Sequence, residues 1–271
     1  MEQKEITKTR LIIYVLMAYG LTCLMGILIS QYVLIIGSIV ALVFLAVAGN
    51  EKRAAAGLTR QNWKSAVLIV LAFVGIYIVR TVVSVAVQGV SDGSGMQYVK
   101  EWAAMFKDPM MWLNIVALPI NYFFVFIAFF GEEYGWRYYL QPVLQKRFGL
   151  RAGVIILGVV WGLWHIPDDL FYYTQTSGIQ MIFAQQITCI SLGIFFAYAY
   201  MKTQNIWVPV CLHYLNNNLI PIISGTFSAD VLENQTVSWK DLPVALVLNG
   251  LCFGFFLLAD VFKKKEIQKE D

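Results

Sequence analysis

Charge is scarce in this 271-residue chain: Asp, Glu, Lys and Arg supply 14% of it, against about 25% in an ordinary soluble domain. That shortage excludes a disordered chain, a nucleic-acid-binding arm and a plain water-soluble globule. Histidine is rarer still, with two in the whole chain, so any histidine-based site has few ways to be built. The four cysteines, Cys23, Cys189, Cys211 and Cys252, form no CxxC pair. All lie inside apolar runs, where they read as packing residues that carry no information on redox compartment. HExxH is absent, as are internal repeats, low-complexity tracts and a polar stretch long enough to make a soluble domain.

What the chain has is hydrophobic length. Hydrophobic residues make up 59% of it and the mean hydropathy is +0.65. Eight apolar segments are predicted, at 11–30, 32–49, 65–87, 112–131 (continuing as a helix to about 147), 152–166, 179–200, 206–223 and 242–262. Most approach the ~20 residues that cross ~30 Å of hydrocarbon. The fifth is short, and Pro167 is expected to end it. The first is too long for the 7–15-residue core of a cleaved signal peptide and is followed at once by another span. With the N-terminus placed inside, the segments 1–10, 50–64, 141–151, 201–205 and 262–271 hold 15 of the 20 Lys and Arg, and the opposite loops hold three, Lys100, Lys107 and Lys240. That asymmetry follows the positive-inside rule. The expected fold is therefore an all-α, polytopic membrane helix bundle of about eight transmembrane helices, with both termini cytoplasmic. It forms a single membrane domain over 1–271. The loop at 88–110 is expected to carry a short amphipathic piece around Tyr98–Phe106, and Asp168, Asp169, Asp230, Glu233 and Asp241 are all expected to fall on the outer side. The GxxxG spacings Gly158–Gly162 and Gly250–Gly254 suit close helix packing.

The polar residues inside the apolar helices are few, and they cluster. The fourth segment contains Glu132-Glu133-Tyr-Gly-Trp-Arg137, the fifth Trp161-Gly-Leu-Trp-His165, and the seventh His213-Tyr-Leu-Asn-Asn217. Each ionised group at mid-membrane costs roughly 2.5–3.5 kcal/mol on insertion scales, so such residues face a bundle interior or a wet cavity. Glu133 and Arg137 are four apart, share a helix face and can pair; His213 and Asn217 share a face for the same reason. Glu132 and Glu133 point about 100° apart, so one carboxylate can hold Arg137 while the other points elsewhere. Counted from basic residues on one membrane side, Glu132, His165 and His213 lie at similar depth, about 16–22 Å along their helices. Taken singly, Glu133–Arg137 reads as an internal ion pair, His165 as a hydrogen-bonded core residue, His213–Asn217 as an interhelical clamp, and Asn216–Asn218 partly as a helix-end feature. Jointly they favour one polar cavity.

These three motifs resemble those of the CPBP family of intramembrane proteases, also called the Abi or type II CAAX prenyl endopeptidase family. That family carries Glu-Glu-x-x-x-Arg, Phe-x-x-x-His and His-x-x-x-Asn in this order, and here the second has Trp161 where Phe is usual. The resemblance covers residues 110–225, which would form the protease core. It implies an eight-helix endopeptidase whose site opens into the membrane. By position, Glu132 would activate water with His165 completing that step, Glu133 and Arg137 would orient the site, and His213 and Asn217 would hold the oxyanion. No cofactor is expected. Zinc is the alternative, because two histidines and a carboxylate make an acceptable catalytic set. The implied partners are the lipid bilayer and a membrane-associated or lipid-modified peptide or protein substrate, with no nucleic acid. The expected location is the cell (plasma) membrane. A non-catalytic membrane scaffold or bacteriocin self-immunity protein of the same family is the alternative function, and a transporter with a midplane ion site is a third reading.

Overall fold

The computed structural model describes residues 62–92, 95–224 and 234–263. The predicted spans at 11–30 and 32–49, and both chain termini, lie outside the described residues. The first described helix, α1 (Trp63–Asp92), is rich in Val and Ile. These are indifferent helix formers in water. In hydrocarbon the backbone must satisfy its own hydrogen bonds, and a helix is the way one segment does so. The short helix α2 (Gly95–Met105) is the expected amphipathic piece, and Trp102 ties it to the bundle by donating to the carbonyl of Ile223 at 3.0 Å.

Asp108 starts α3 (Pro109–Glu133) by accepting from the amide of Met110, with Pro109 in the first turn, a position where its missing N–H costs nothing. The rod then widens into a π-helical turn, Tyr134–Leu140, and resumes as α4 (Gln141–Phe148). The expected long fourth helix is thus continuous, but with an expanded turn directly after Glu132–Glu133. Gly149, at φ 89°, supplies the backbone reversal into α5 (Leu150–Trp164), a conformation that favours glycine.

The fifth helix is short, as expected, and stops at Trp164 just before Pro167; His165 forms a joint, and Pro167 lies in the first turn of α6 (Ile166–Phe171). A proline is tolerated there because a first-turn amide has no helical acceptor. Asp168 and Asp169 fall in α6 and are buried; Asp230 and Glu233 lie outside the described residues.

The long helix α7 (Gly178–Thr203) is followed by α8 (Trp207–Ser224), whose amide at Trp207 is capped by Asn205 Oδ1 at 3.0 Å. Asn216–Asn218 therefore sit within α8 and not at its end. The predicted eighth span is also shorter than expected. Helix α9 (Asp241–Cys252) gives way to 3-10 turns at Gly254–Leu258 and Asp260–Phe262. The break falls at Phe253, a fully buried ring packed 5.8 Å from Phe73, 5.0 Å from Tyr77 and 5.7 Å from Phe195.

Helix α7 is the axis of the bundle: it packs along α5, α9, α6 and α8, while α8 also packs along α3 and α1. Among the described residues, the segments Trp63–Val87, Pro109–Phe126, Leu150–Phe171 and Gly178–Thr203 are long and apolar enough to cross a membrane. Large apolar side chains such as Phe123 (81% exposed), Phe124 (79%) and Val116 (71%) point outward along α3. Such a contiguous apolar surface is a liability in water and the expected surface in lipid. The molecule is an integral membrane protein built as an all-α helix bundle.

The first GxxxG pair is a packing device and the second is not. A β-carbon on Gly158 would stand 2.6 Å from Ile190 Cα, while one on Gly250 would meet nothing within 4 Å. Gly158→Ala is therefore expected to destabilise the protein by about 1–3 kcal/mol through overpacking, and Gly250→Ala to leave it unchanged. Thermal unfolding of the two purified variants in detergent checks this.

Candidate active site

The site is assembled around Glu133, whose side chain is 0% exposed. Its Oε2 accepts from Arg137 Nε at 2.7 Å and its Oε1 accepts from His213 Nδ1 at 2.9 Å. Arg137, also 0% exposed, reaches across to donate to the carbonyl of Gly193 on α7 at 3.2 Å. Its guanidinium lies 5.2 Å from the ring centre of Trp161 and 5.4 Å from that of Phe196. A cation buried in this way is tolerable because one carboxylate, one carbonyl and two π-faces surround it. The expected i, i+4 pairing of Glu133 with Arg137 is present, within the widened π-turn.

Trp161 is the hub between the two histidines. Its ring centre is 5.8 Å from that of His165 and 5.3 Å from that of His213, both edge-on. Phe129 and Phe196 complete the wall around His213, at 5.1 and 6.0 Å, and Trp164 covers His165 at 5.0 Å. His165 Nδ1 lies 2.9 Å from the carbonyl oxygen of Trp161. A carbonyl only accepts, so Nδ1 carries the proton and Nε2 is left as the acceptor. The same logic puts a proton on His213 Nδ1, against the Glu133 carboxylate.

Glu132 points away from Arg137, as the ~100° step between neighbouring residues requires. Its buried carboxylate lies among the indole N–H groups of Trp161 and Trp136 and within electrostatic range of His213 and Asp168. Glu132, Glu133, Arg137, His165 and His213 are thus gathered around one tryptophan. Asn217 stands apart from this buried cluster. It follows His213 by one helical turn, its side chain is exposed, and its amide oxygen accepts from Asn216 Nδ2 at 2.8 Å. The interhelical bonds of the asparagine run are made by its neighbours: Asn218 Oδ1 accepts from Asn121 at 3.3 Å, and Asn216 Oδ1 accepts from the hydroxyl of Tyr77.

Three contributors carry no signal in the sequence: the indole of Trp136, the ring of Phe129 and the phenol of Tyr77. Each is an ordinary aromatic in an apolar run, and only the fold shows what it faces. Among the described residues no three His, Cys, Asp or Glu side chains are grouped so as to hold a metal ion. The two-histidine, one-carboxylate zinc set is not assembled among them. Arg137→Ala is expected to cost about 3–5 kcal/mol, because it leaves the Glu133 charge buried with one partner fewer. Arg137→Lys restores only part of this, since an ammonium lacks the planar fork and stacking surface of the guanidinium. Unfolding of both variants in detergent measures the difference.

Comparison with known families matches residues 112–219 to the Rce1-like model, described as type II CAAX prenyl endopeptidase Rce1-like. CAAX prenyl protease 2 of Methanococcus maripaludis is 27% identical over 125 residues, which are 43% of this chain and 45% of that protein. The chain thus matches less than half the length of this curated relative. No solved structure matches. The matched stretch contains all three motifs, so this part of the chain is similar to the Rce1-like, type II CAAX prenyl endopeptidases that its sequence resembles.

Proposed function

We propose that the protein is an intramembrane endopeptidase of the CAAX-protease type, hydrolysing a peptide bond of a membrane-associated or lipid-modified peptide. The observation that carries this reading is the convergence of Glu132, His165 and His213, from three separate helices, around the indole of Trp161. The family match and the name of the archaeal relative support the reaction class.

In the proposed reaction, Glu132 takes a proton from water and the resulting hydroxide attacks the scissile carbonyl. A carboxylate in an apolar pocket is a stronger base than one in water. His165, with its Nδ1 proton engaged by Trp161, offers Nε2 as acceptor to hold and orient the attacking water, and as the C–N bond breaks Glu132 passes the proton it took from water to the leaving amine. The oxyanion of the tetrahedral intermediate is received by His213 and by the amide of Asn217. An Nε2 donor on His213 requires the doubly protonated ring, and the Glu133 carboxylate at its Nδ1 is the group that stabilises such a ring. Arg137 keeps Glu133 in place for that purpose. Donors aimed at a developing oxyanion act strongly where water is excluded. The chemistry needs no metal, and the substrate's lipid chain would be accommodated by the bilayer around the bundle. The cell membrane is the proposed location.

The test is cleavage of prenylated and unmodified C-terminal peptides by protein reconstituted in lipid vesicles. Glu132→Gln and His165→Ala are each expected to lower turnover by about 10²–10⁴-fold, the range for a lost general acid or base, with unfolding temperatures close to wild type. Wild-type turnover in Glu132→Gln sinks the reading, and binding without cleavage by wild type assigns the protein to the scaffold or self-immunity role instead. A separate expectation concerns metal. Activity persists after dialysis against a chelator, and its loss with recovery on adding zinc would replace the glutamate mechanism by a metal-dependent one.

A further inference from the structure

The three asparagines of α8 are not equivalent, and the difference is one of direction. Asn216 and Asn217 are neighbours, so their side chains leave the helix about 100° apart. Asn216 faces α1, where its Oδ1 receives the hydroxyl of Tyr77. Its Nδ2 then donates to Asn217 Oδ1 at 2.8 Å. The direction of this chain is set at its origin. Tyr77 is buried, and the guanidinium of Arg80 stands 5.8 Å over its ring. An amide oxygen only accepts, so the phenol is the donor of the pair. Arg80 is itself fixed by donating from Nε to Asn249 Oδ1 at 2.9 Å.

An asparagine amide has one accepting and one donating end. With the accepting end of Asn217 taken by Asn216, its donating NH2 must point the other way, outward on the face it shares with His213. Without that constraint the amide could rotate by 180° and present its oxygen to the same place, where it would repel a developing oxyanion. We propose that Tyr77 and Asn216 are positioning residues that hold the Asn217 amide with its NH2 toward the reaction site, a hydrogen-bond relay running from α1 into the oxyanion site. The proposal rests on the reading of Asn217 as an oxyanion donor and adds two residues outside the three motifs to that task.

Asn216→Asp tests it. An aspartate accepts and cannot donate, so it would draw the NH2 of Asn217 toward itself and turn the amide around. The expected result is a fall in kcat of about tenfold or more, toward the loss for one missing oxyanion donor, with KM and unfolding temperature unchanged. Tyr77→Phe removes the first link without adding charge and is expected to lower kcat by a smaller factor, again with KM unchanged. In an Asn217→Ala background, neither substitution should lower kcat further, because there is no amide left to orient; such non-additivity marks residues acting as a unit. Losses that multiply in the double variants, or wild-type kcat in Asn216→Asp, overturn the relay while leaving the protease reading standing. Wild-type kcat in Asn217→Ala instead removes the oxyanion role of Asn217, and the relay with it. A measurement free of turnover probes the same orientation: hydrogen–deuterium exchange of the Asn217 side-chain amide, followed by NMR in micelles. Fast exchange in wild type and protection in Asn216→Asp are expected, and equal exchange in the two overturns the relay.

Discussion

One buried carboxylate constrains much of this structure. Glu133 is fully enclosed and divides its two oxygens between Arg137, one turn ahead on the same rod, and His213, eighty residues later on α8. An ionised carboxylate in an apolar interior is tolerable only when both oxygens are engaged. The pairing therefore dictates that α3, with its π-turn, and α8 be neighbours, and that Arg137 reach the backbone of α7. The widened turn lets Tyr134, Gly135, Trp136 and Arg137 all be buried, more consecutive inward-facing residues than a regular surface helix provides. π-turns of this kind are frequent at functional sites.

The aromatic lining has a chemical consequence as well as a packing one. Trp161, Trp164, Phe129 and Phe196 surround the two imidazoles. Each ring has its Nδ1 engaged, His165 by the carbonyl of Trp161 and His213 by Glu133. Excluding water strengthens every charge–dipole interaction inside the pocket, which is the condition under which a carboxylate base and an imidazolium stabiliser are worth most. Asn217, by contrast, lies at the exposed margin of the cluster, where a substrate carbonyl entering from outside would first meet it.

Much of this is legible from residue order. Apolar runs and the distribution of Lys and Arg indicate a membrane helix bundle, and the four-residue spacings place Glu133 with Arg137 and His213 on the same face as Asn217. The stop of the fifth helix before Pro167 is legible too, whereas the short helix α6 that restarts there is not. Residue order misleads where packing overrides a local average. The segment 242–262 is apolar enough for one span, yet burial of Phe253 among Phe73, Tyr77 and Phe195 divides it. Asp168 and Asp169 belong to none of the three motifs, yet they are buried and Asp168 lies within electrostatic range of Glu132.

The sequence by itself determined the solvent of this protein and the chemistry available to it: composition sets whether a backbone must close its hydrogen bonds internally, and a fixed 3.6-residue period sets which near neighbours share a face. It could not determine the partners across helices. That Glu133 takes His213, that Trp161 stands between the two imidazoles, and that Tyr77 reaches Asn216 depend on how separate rods rotate and approach. Those rotations are decided by the close contact of Gly158 with α7, by the need to surround a buried guanidinium, and by the fit of aromatic rings. These are non-local interactions, and they carry no signature in residue spacing.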